Sequence, residues 1–201
     1  MIKNIVFDIG NVLLDFKPRE YLKNKGFSDS LINELMTCIF MSREWIQLDM
    51  GTIEAEEAVK NFIDYTPNLK NEIKEVMEDW TSMLQPKEDT IELLYNLKRN
   101  GYRIYLLSNY HKKAFEITRR KNRFIEDVDG YVISWEHNCI KPHEEIYYKL
   151  LDKYALKKEE TIFIDDMEEN VKGAEEVGIK GVIFTDIENL KKLFVKYDIY
   201  I

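Results

Sequence analysis

The chain has 201 residues, 45% of them hydrophobic, and a formal net charge of −8. That length holds one sizeable domain, or a core domain with a smaller insert, and the composition is ordinary for a protein that buries a core. The acidic balance excludes the basic footprint of a nucleic-acid binder and adhesion to an anionic membrane; it leaves room for a small anionic substrate, because local cations override the global field.

No apolar run approaches the ~20 residues of a membrane span, and the N-terminus shows no apolar segment with a cleavage site. Cys38 and Cys139 are far apart and form no metal or redox motif. The expectation is a cytoplasmic protein with two reduced thiols, without nucleic acid or membrane partners, as a monomer or weak homodimer.

Residues 2–7, IKNIVF, read as a strand that stops on Asp8 and a glycine turn, Ile9-Gly10-Asn11. In an open α/β sheet such a loop lies at the carboxyl end of the strands, where ligands bind. Residues 16–100 contain no convincing strand. They read as amphipathic helices over about 29–40, 54–64, 69–83 and 88–99. Leu31, Leu35 and Ile39 fall on one face. Thr52 precedes the acidic turn Glu54–Glu57 as a plausible cap. Pro86 marks a break, and Gly101 stops the helix that leads back to the sheet.

Beyond that helix come four more β-rich runs: 103–107, 131–133, 161–164 and 181–184. Helical segments at 111–120, 143–154 and 168–177 separate them. Strands alternating with helices predict a parallel sheet covered on both faces. Residues 1–15 and 86–201 are expected to form this α/β core, and 16–85 a helical cap whose closure excludes water.

Polar residues collect at the strand ends: Asp8 after the first, Ser108 and Asn109 after the second, Lys141 and Pro142 beyond the third, Asp165 and Asp166 after the fourth. In a parallel sheet these ends are neighbours. Clustered carboxylates around an open position favour a hard cation, Mg²⁺, which also draws in phosphate. An ionised aspartate attacks phosphorus without needing a base.

With Phe7-Asp8-Ile9-Gly10-Asn11-Val12, Leu107-Ser108-Asn109, Lys141-Pro142 and Phe163-Ile164-Asp165-Asp166 in order, the sequence resembles the haloacid dehalogenase-like hydrolases over nearly its whole length. The resemblance implies a Rossmann-like sheet of five main strands in the order 3-2-1-4-5, with the cap inserted after the first. It implies a phosphatase acting on a small phosphorylated metabolite with Mg²⁺. Asp8 would form an aspartyl-phosphate. The Gly10 carbonyl, Asp8 and Asp166 would hold the metal, with Asp165 in direct contact or one step behind. Ser108, the Asn109 N–H and Lys141 would hold the phosphoryl group. Asn170 would support the metal shell or cap its helix.

One departure stands out. Most phosphatases of this family carry a second aspartate two residues after the nucleophile, as acid and base; here that residue is Gly10. General acid–base help is typically worth about 10²–10⁴ in rate, or roughly 3–5 kcal/mol. The opening Phe-Asp-x-Gly-Asn-Val is similar to that of bacterial α-D-glucose-1-phosphatases within the family, which also have glycine there. An anomeric oxygen leaves more readily than an alkoxide, so a sugar 1-phosphate is the favoured substrate. Asp15, Glu44 and Asp49 are possible substitute acids, set against ordinary surface charges, and His111 could touch the substrate. The alternatives are a metal-independent haloacid dehalogenase and a metabolite-binding member of the fold without turnover.

Overall fold

The computed structural model describes residues 1–201. A strand covered on both faces must be apolar along its length, and Asn4–Phe7 meets that condition as β1, with all four residues buried. Beside it lie β2 (Arg103–Ser108), β3 (Gly130–Ile133), β4 (Thr161–Asp165) and β5 (Lys180–Ile183). All pairings are parallel. The order is β3-β2-β1-β4-β5, as the resemblance implies.

Between β1 and β2 run six α-helices: α1 (Pro18–Asn24), α2 (Asp29–Leu35), α3 (Arg43–Asp49), α4 (Ala55–Tyr65), α5 (Lys70–Asp79) and α6 (Glu88–Arg99). Five more follow: α7 (Lys112–Lys121), α8 (Phe124–Asp127), α9 (Glu144–Lys153), α10 (Glu168–Glu176) and α11 (Ile187–Lys196). No helix is long and apolar enough to cross a membrane.

Besides the four-residue α8, which was not expected, the helices differ from the sequence reading in three places. The segment expected at 29–40 is helical only to Leu35 and then widens into a π turn, Met36–Phe40. The seven-residue helices α1 and α3 were not expected; each is too short for a periodicity signal, although Pro18 and the Ser42 cap mark their starts. The third, α11, was not expected either, but it carries a cap: the Asp186 side chain accepts from the Asn189 N–H at 2.8 Å.

Alternation along the strands sorts the core into two layers. Ile5, Phe7, Ile104, Leu106, Ile162 and Ile164 face the larger cluster with Leu94 of α6 and Phe194 of α11. Val6, Tyr105, Leu107 and Phe163 face the other side, with Ile146, Tyr147 and Leu150 of α9 and Ala174 of α10. The apolar faces of the inserted helices, with Leu22, Leu35, Ile39 and Phe62, join the first cluster through Ile9 and Leu13. The chain enters and leaves this insert side by side. The Asp15 N–H donates to the Gln85 carbonyl at 2.8 Å, and the Lys87 N–H to the Leu13 carbonyl at 2.9 Å.

Register brings the strand ends level. Phe7 is paired with Leu106 on one side and Ile164 on the other. The next residue on β1 is therefore flanked by the ends of β2 and β4. Behind this row, α10 packs directly on the segment that precedes α9. A Cβ on Gly173 would lie 2.3 Å from the Pro142 carbonyl oxygen.

That contact predicts a cost for one methyl group. Gly173→Ala forces α10 off Pro142, an overpacking penalty of about 1–3 kcal/mol. Urea denaturation is expected to show a lowered midpoint with an unchanged slope; an unaltered midpoint refutes the close packing.

Candidate active site

The first loop is built by Asn11, which sits at φ 55°. Its N–H donates to the Leu14 carbonyl at 2.6 Å, and its side-chain oxygen accepts from the Phe16 N–H at 3.0 Å. Its amide Nδ2 donates to Asp166 Oδ2 at 3.0 Å, tying the β1 loop to the β4 loop. Asp8 is fixed by the sheet itself, its N–H donating to the Ile164 carbonyl at 2.9 Å.

Lys141 comes from the segment between β3 and α9, and Asn109 places it. The Asn109 side chain accepts from the Lys141 N–H at 2.9 Å and donates to the Lys141 carbonyl at 3.1 Å. The ammonium then reaches the carboxylates: Nζ is 2.6 Å from Asp165 Oδ2 and 2.7 Å from Asp8 Oδ1. The first contact is a directed hydrogen bond. The second is charge contact alone, because Asp8 Oδ1 is buried without a partner in hydrogen-bond geometry. Asp165 is fully buried, and its oxygens accept further from the Met167 N–H at 2.8 Å and from Asn170 Nδ2 at 3.0 and 3.1 Å. Asn170 thus braces Asp165 and does not cap α10.

The charges are strained against each other. Burial pushes the Asp8 carboxyl up to about 7; Lys141 opposes this and Asp165 adds to it. Burial alone would discharge Lys141, but Asp165 and Asp8 together outweigh it and hold the ammonium above its usual value. Asp166 is also raised, by burial first, with the Asn11 hydrogen bond working against it.

Asp8, Asp165 and Asp166 each offer an oxygen within 4.8 Å of the others. Such a set of hard donors suits a Mg²⁺-sized cation; Asp8 Oδ1 already faces the Lys141 ammonium, and one ammonium leaves the three carboxylates short of positive charge. A Cβ on Gly10 would meet only Asp8 Oδ2, at 3.8 Å, and Phe16 Cβ, at 4.0 Å. The space above Asp8 is open.

These residues floor a cavity of about 240 Å³. Asp8, Gly10, Ser108, Asn109, Lys141, Asp166 and Asn170 all line it. Asp165 lies just beneath, behind Lys141. The wall opposite is aromatic: Phe16, Trp45, Trp80 and His111. Trp80 is packed in the core cluster and also faces the cavity; tertiary packing brings it there, and sequence periodicity carries no trace of that. Of the possible substitute acids, only Asp49 lines the cavity. Asp15 pairs outside it with Lys17 at 3.0 Å and Lys87 at 3.8 Å. Glu44 is buried within the insert and does not line the cavity.

Asp49 and Trp45 are four residues apart on α3, hence on one helix face. The end of α3 is clipped to the loop after β3. Ser134 Oγ donates to the Asp49 carbonyl and accepts from the Tyr110 N–H. Asn138 Nδ2 donates to the Met50 carbonyl at 3.0 Å. Gly51 permits the approach: it has φ +66°, and a Cβ there would lie 2.5 Å from the Trp135 carbonyl oxygen. The sequence reading missed Ser134, Asn138 and Tyr110. The Asp49-Met50-Gly51 turn was the available signal.

A sequence model described as "haloacid dehalogenase-like hydrolase" matches residues 2–178. A sesquiterpene phosphatase of Aspergillus oryzae is 29% identical, over 92% of this chain and 90% of its own length. A D-ribitol-5-phosphate phosphatase of Bacteroides thetaiotaomicron is 27% identical over 90% of each chain. The crystal structure of a HAD family enzyme from Bacteroides thetaiotaomicron, in complex with magnesium and inorganic phosphate, superimposes with a TM-score of 0.74 at 25% identity. That superposition covers 96% of this chain and 100% of the other.

The crowded carboxylates set a pH dependence. Asp8 holds its proton more tightly folded than unfolded, so its contribution to stability is complete below pH ~4 and is lost as pH rises through about 7. In EDTA, Asp8→Asn is expected to melt above the wild type at pH 8.5, with the gap closing toward pH 5. Thermal melts that give the same gap at both pH values contradict the strained site.

Proposed function

The chain belongs to the haloacid dehalogenase-like hydrolases and is a phosphoric monoester hydrolase of that family; we propose that its substrate is a small sugar phosphate, with the ester at the anomeric carbon favoured, and that transfer runs through an aspartyl-phosphate on Asp8. The observation that carries this reading is the placement of the Lys141 ammonium 2.7 Å from Asp8 Oδ1, beside Asp166 and Ser108, at the floor of the cavity. Mg²⁺ would be held by Asp8, the Gly10 carbonyl and Asp166, with Asp165 adjoining; bound there, it offsets the charge of the incoming phosphate.

Asp8 is the attacking group. Lys141 opposes the burial that raises the Asp8 carboxyl, aims it, and offers a cation to the phosphoryl oxygens. Ser108 and the Asn109 N–H add donors, the kind of fixed electrostatic support that stabilises a transferring phosphoryl group. Asp165 holds Lys141 in place, and Asn109 holds its backbone. The residues 16–85 act as the cap. Their tryptophans wall the cavity on the side opposite Asp8, which supports a role in shielding the site from water.

The cavity volume of about 240 Å³ supports a small substrate, being below the ~300–1,000 Å³ of drug-sized ligand sites. Gly10 supports the anomeric ester, since it brings no acid from the first loop to help an ordinary alkoxide leave. A dehalogenase has no use for a third carboxylate beside Asp8 and Asp165, so the Asp166–Asn11 arrangement favours phosphate chemistry.

A panel of phosphomonoesters assayed with and without Mg²⁺ tests this. Phosphate release is expected to require Mg²⁺, to run faster on sugar 1-phosphates than on the matching 6-phosphates, and to fall on the order of 10³-fold or more in Asp8→Asn. Equal rates on the two sugar esters remove the anomeric preference, and turnover that survives in Asp8→Asn removes the covalent intermediate.

A further inference from the structure

Breaking a phosphate ester in this cavity sends an oxygen anion away from Asp8. An attacking carboxylate and a departing oxygen lie on opposite sides of the phosphorus. The departing oxygen therefore points toward the cap, and an acid that serves it must come from there.

One carboxyl group of the cap lines the cavity. Asp49 ends α3 and keeps 18% of its side chain open. Its Oδ1 lies 3.3 Å from His111 Nε2. That nitrogen is buried and has no partner in hydrogen-bond geometry. His111 is wedged between tryptophans, its ring centroid 4.3 Å from Trp45 and 5.3 Å from Trp80. A neutral imidazole can present an Nε2–H to Asp49 Oδ1, which leaves the second carboxyl oxygen to carry a proton on the cavity side.

We propose that Asp49, held by His111, is the general acid and base of this enzyme, taking the role that Gly10 cannot. This rests on the phosphatase reading and adds a residue to the same site. In the first step an Asp8 oxygen bonds to phosphorus, the ester P–O bond breaks, and the departing oxygen takes the Asp49 proton. In the second, Asp49 takes a proton from water as its oxygen bonds to phosphorus. The P–O bond to Asp8 breaks, phosphate leaves, and Asp49 is again protonated.

The electrostatics agree with that role. Burial pushes the Asp49 carboxyl up to about 8, with Lys141 opposing and Asp8 adding to the shift. Burial likewise pushes His111 down to about 3, so the proton resides on Asp49 near neutrality. Asp49 is also well placed mechanically, because Ser134 and Asn138 clip the end of α3 to the core. His111 is a positioning residue: its Nε2 faces Asp49 Oδ1 at 3.3 Å and leaves the other carboxyl oxygen for the proton.

Leaving-group dependence separates this role from binding or packing. An alkyl phosphate such as glycerol phosphate needs its leaving oxygen protonated, whereas 4-nitrophenyl phosphate does not. Asp49→Asn is expected to lower kcat about 10²–10³-fold on the alkyl ester and less than tenfold on the aryl ester. Adding Gly10→Asp, for which the first loop has space, is expected to restore at least a tenth of the lost rate on the alkyl ester. His111→Phe moves the ratio of the two rates in the same direction as Asp49→Asn. Equal losses on both esters in Asp49→Asn, or a rise in KM alone, overturn the proposal while the phosphatase reading stands. Failure of the wild type to release phosphate from either ester overturns that reading itself.

Discussion

Lys141 is the constraint from which the rest of the site follows. A buried ammonium is tolerated only where carboxylates surround it, and buried carboxylates only where a cation pairs with them. Here the cation bridges Asp8 and Asp165. Everything nearby serves that bridge: Asn109 clamps the backbone of Lys141, Asn170 and the Met167 N–H saturate Asp165, and Asn11 ties Asp166 into the same cluster. The bridge is still incomplete. One ammonium cannot neutralise three carboxylates, so the site keeps a surplus of negative charge around Asp8. A divalent cation held there would relieve the surplus and favour the approach of a phosphate.

The cap and the core meet through a different kind of contact. Aromatic packing supplies the area, from Phe16, Trp45 and Trp80, with Trp45 and Trp80 centroids 5.0 Å apart. Position comes from hydrogen bonds at one corner. The Ser134 hydroxyl reads the backbone on both sides of the cavity, accepting from the Tyr110 N–H and donating to the Asp49 carbonyl. That corner tolerates no side chain at Gly51. Apolar surface is indifferent to small slips, whereas a hydrogen bond and a glycine contact fix distances to fractions of an ångström. The corner therefore sets where α3 presents its carboxyl.

The floor of the site was legible in the sequence because local patterns encode it. A strand covered on both faces reads as an apolar run, and the residue that ends the run is visible on inspection. Asp8, Ser108, Asn109, Asp165 and Asp166 follow from that rule together with the topology, whereas the role of Lys141, well beyond the end of β3, came with the family resemblance. The helices that were missed had weak local signals: α1 and α3 span too few residues for periodicity, and the π turn at Met36–Phe40 looks in sequence like more of α2. The roof was much less legible. Trp45 and Trp80 have the apolar character of any core residue, and nothing in the sequence says which face of a short helix looks at the cavity. Asp49, Glu44 and Asp15 were indistinguishable as charges. Only burial and neighbours separate them, with Asp15 among surface lysines, Glu44 enclosed in the insert and Asp49 against His111.

Placing the acid on α3, as proposed, makes it depend on what holds that helix. The end of α3 is fixed by the contacts from Ser134 and Asn138. In the proposed role, the burial that raises the Asp49 carboxyl comes from the same packing that positions it. Gly10 is the counterpart of that arrangement. It leaves free the space above Asp8 that a side chain would otherwise share with the substrate, so the cap alone determines what can be protonated there.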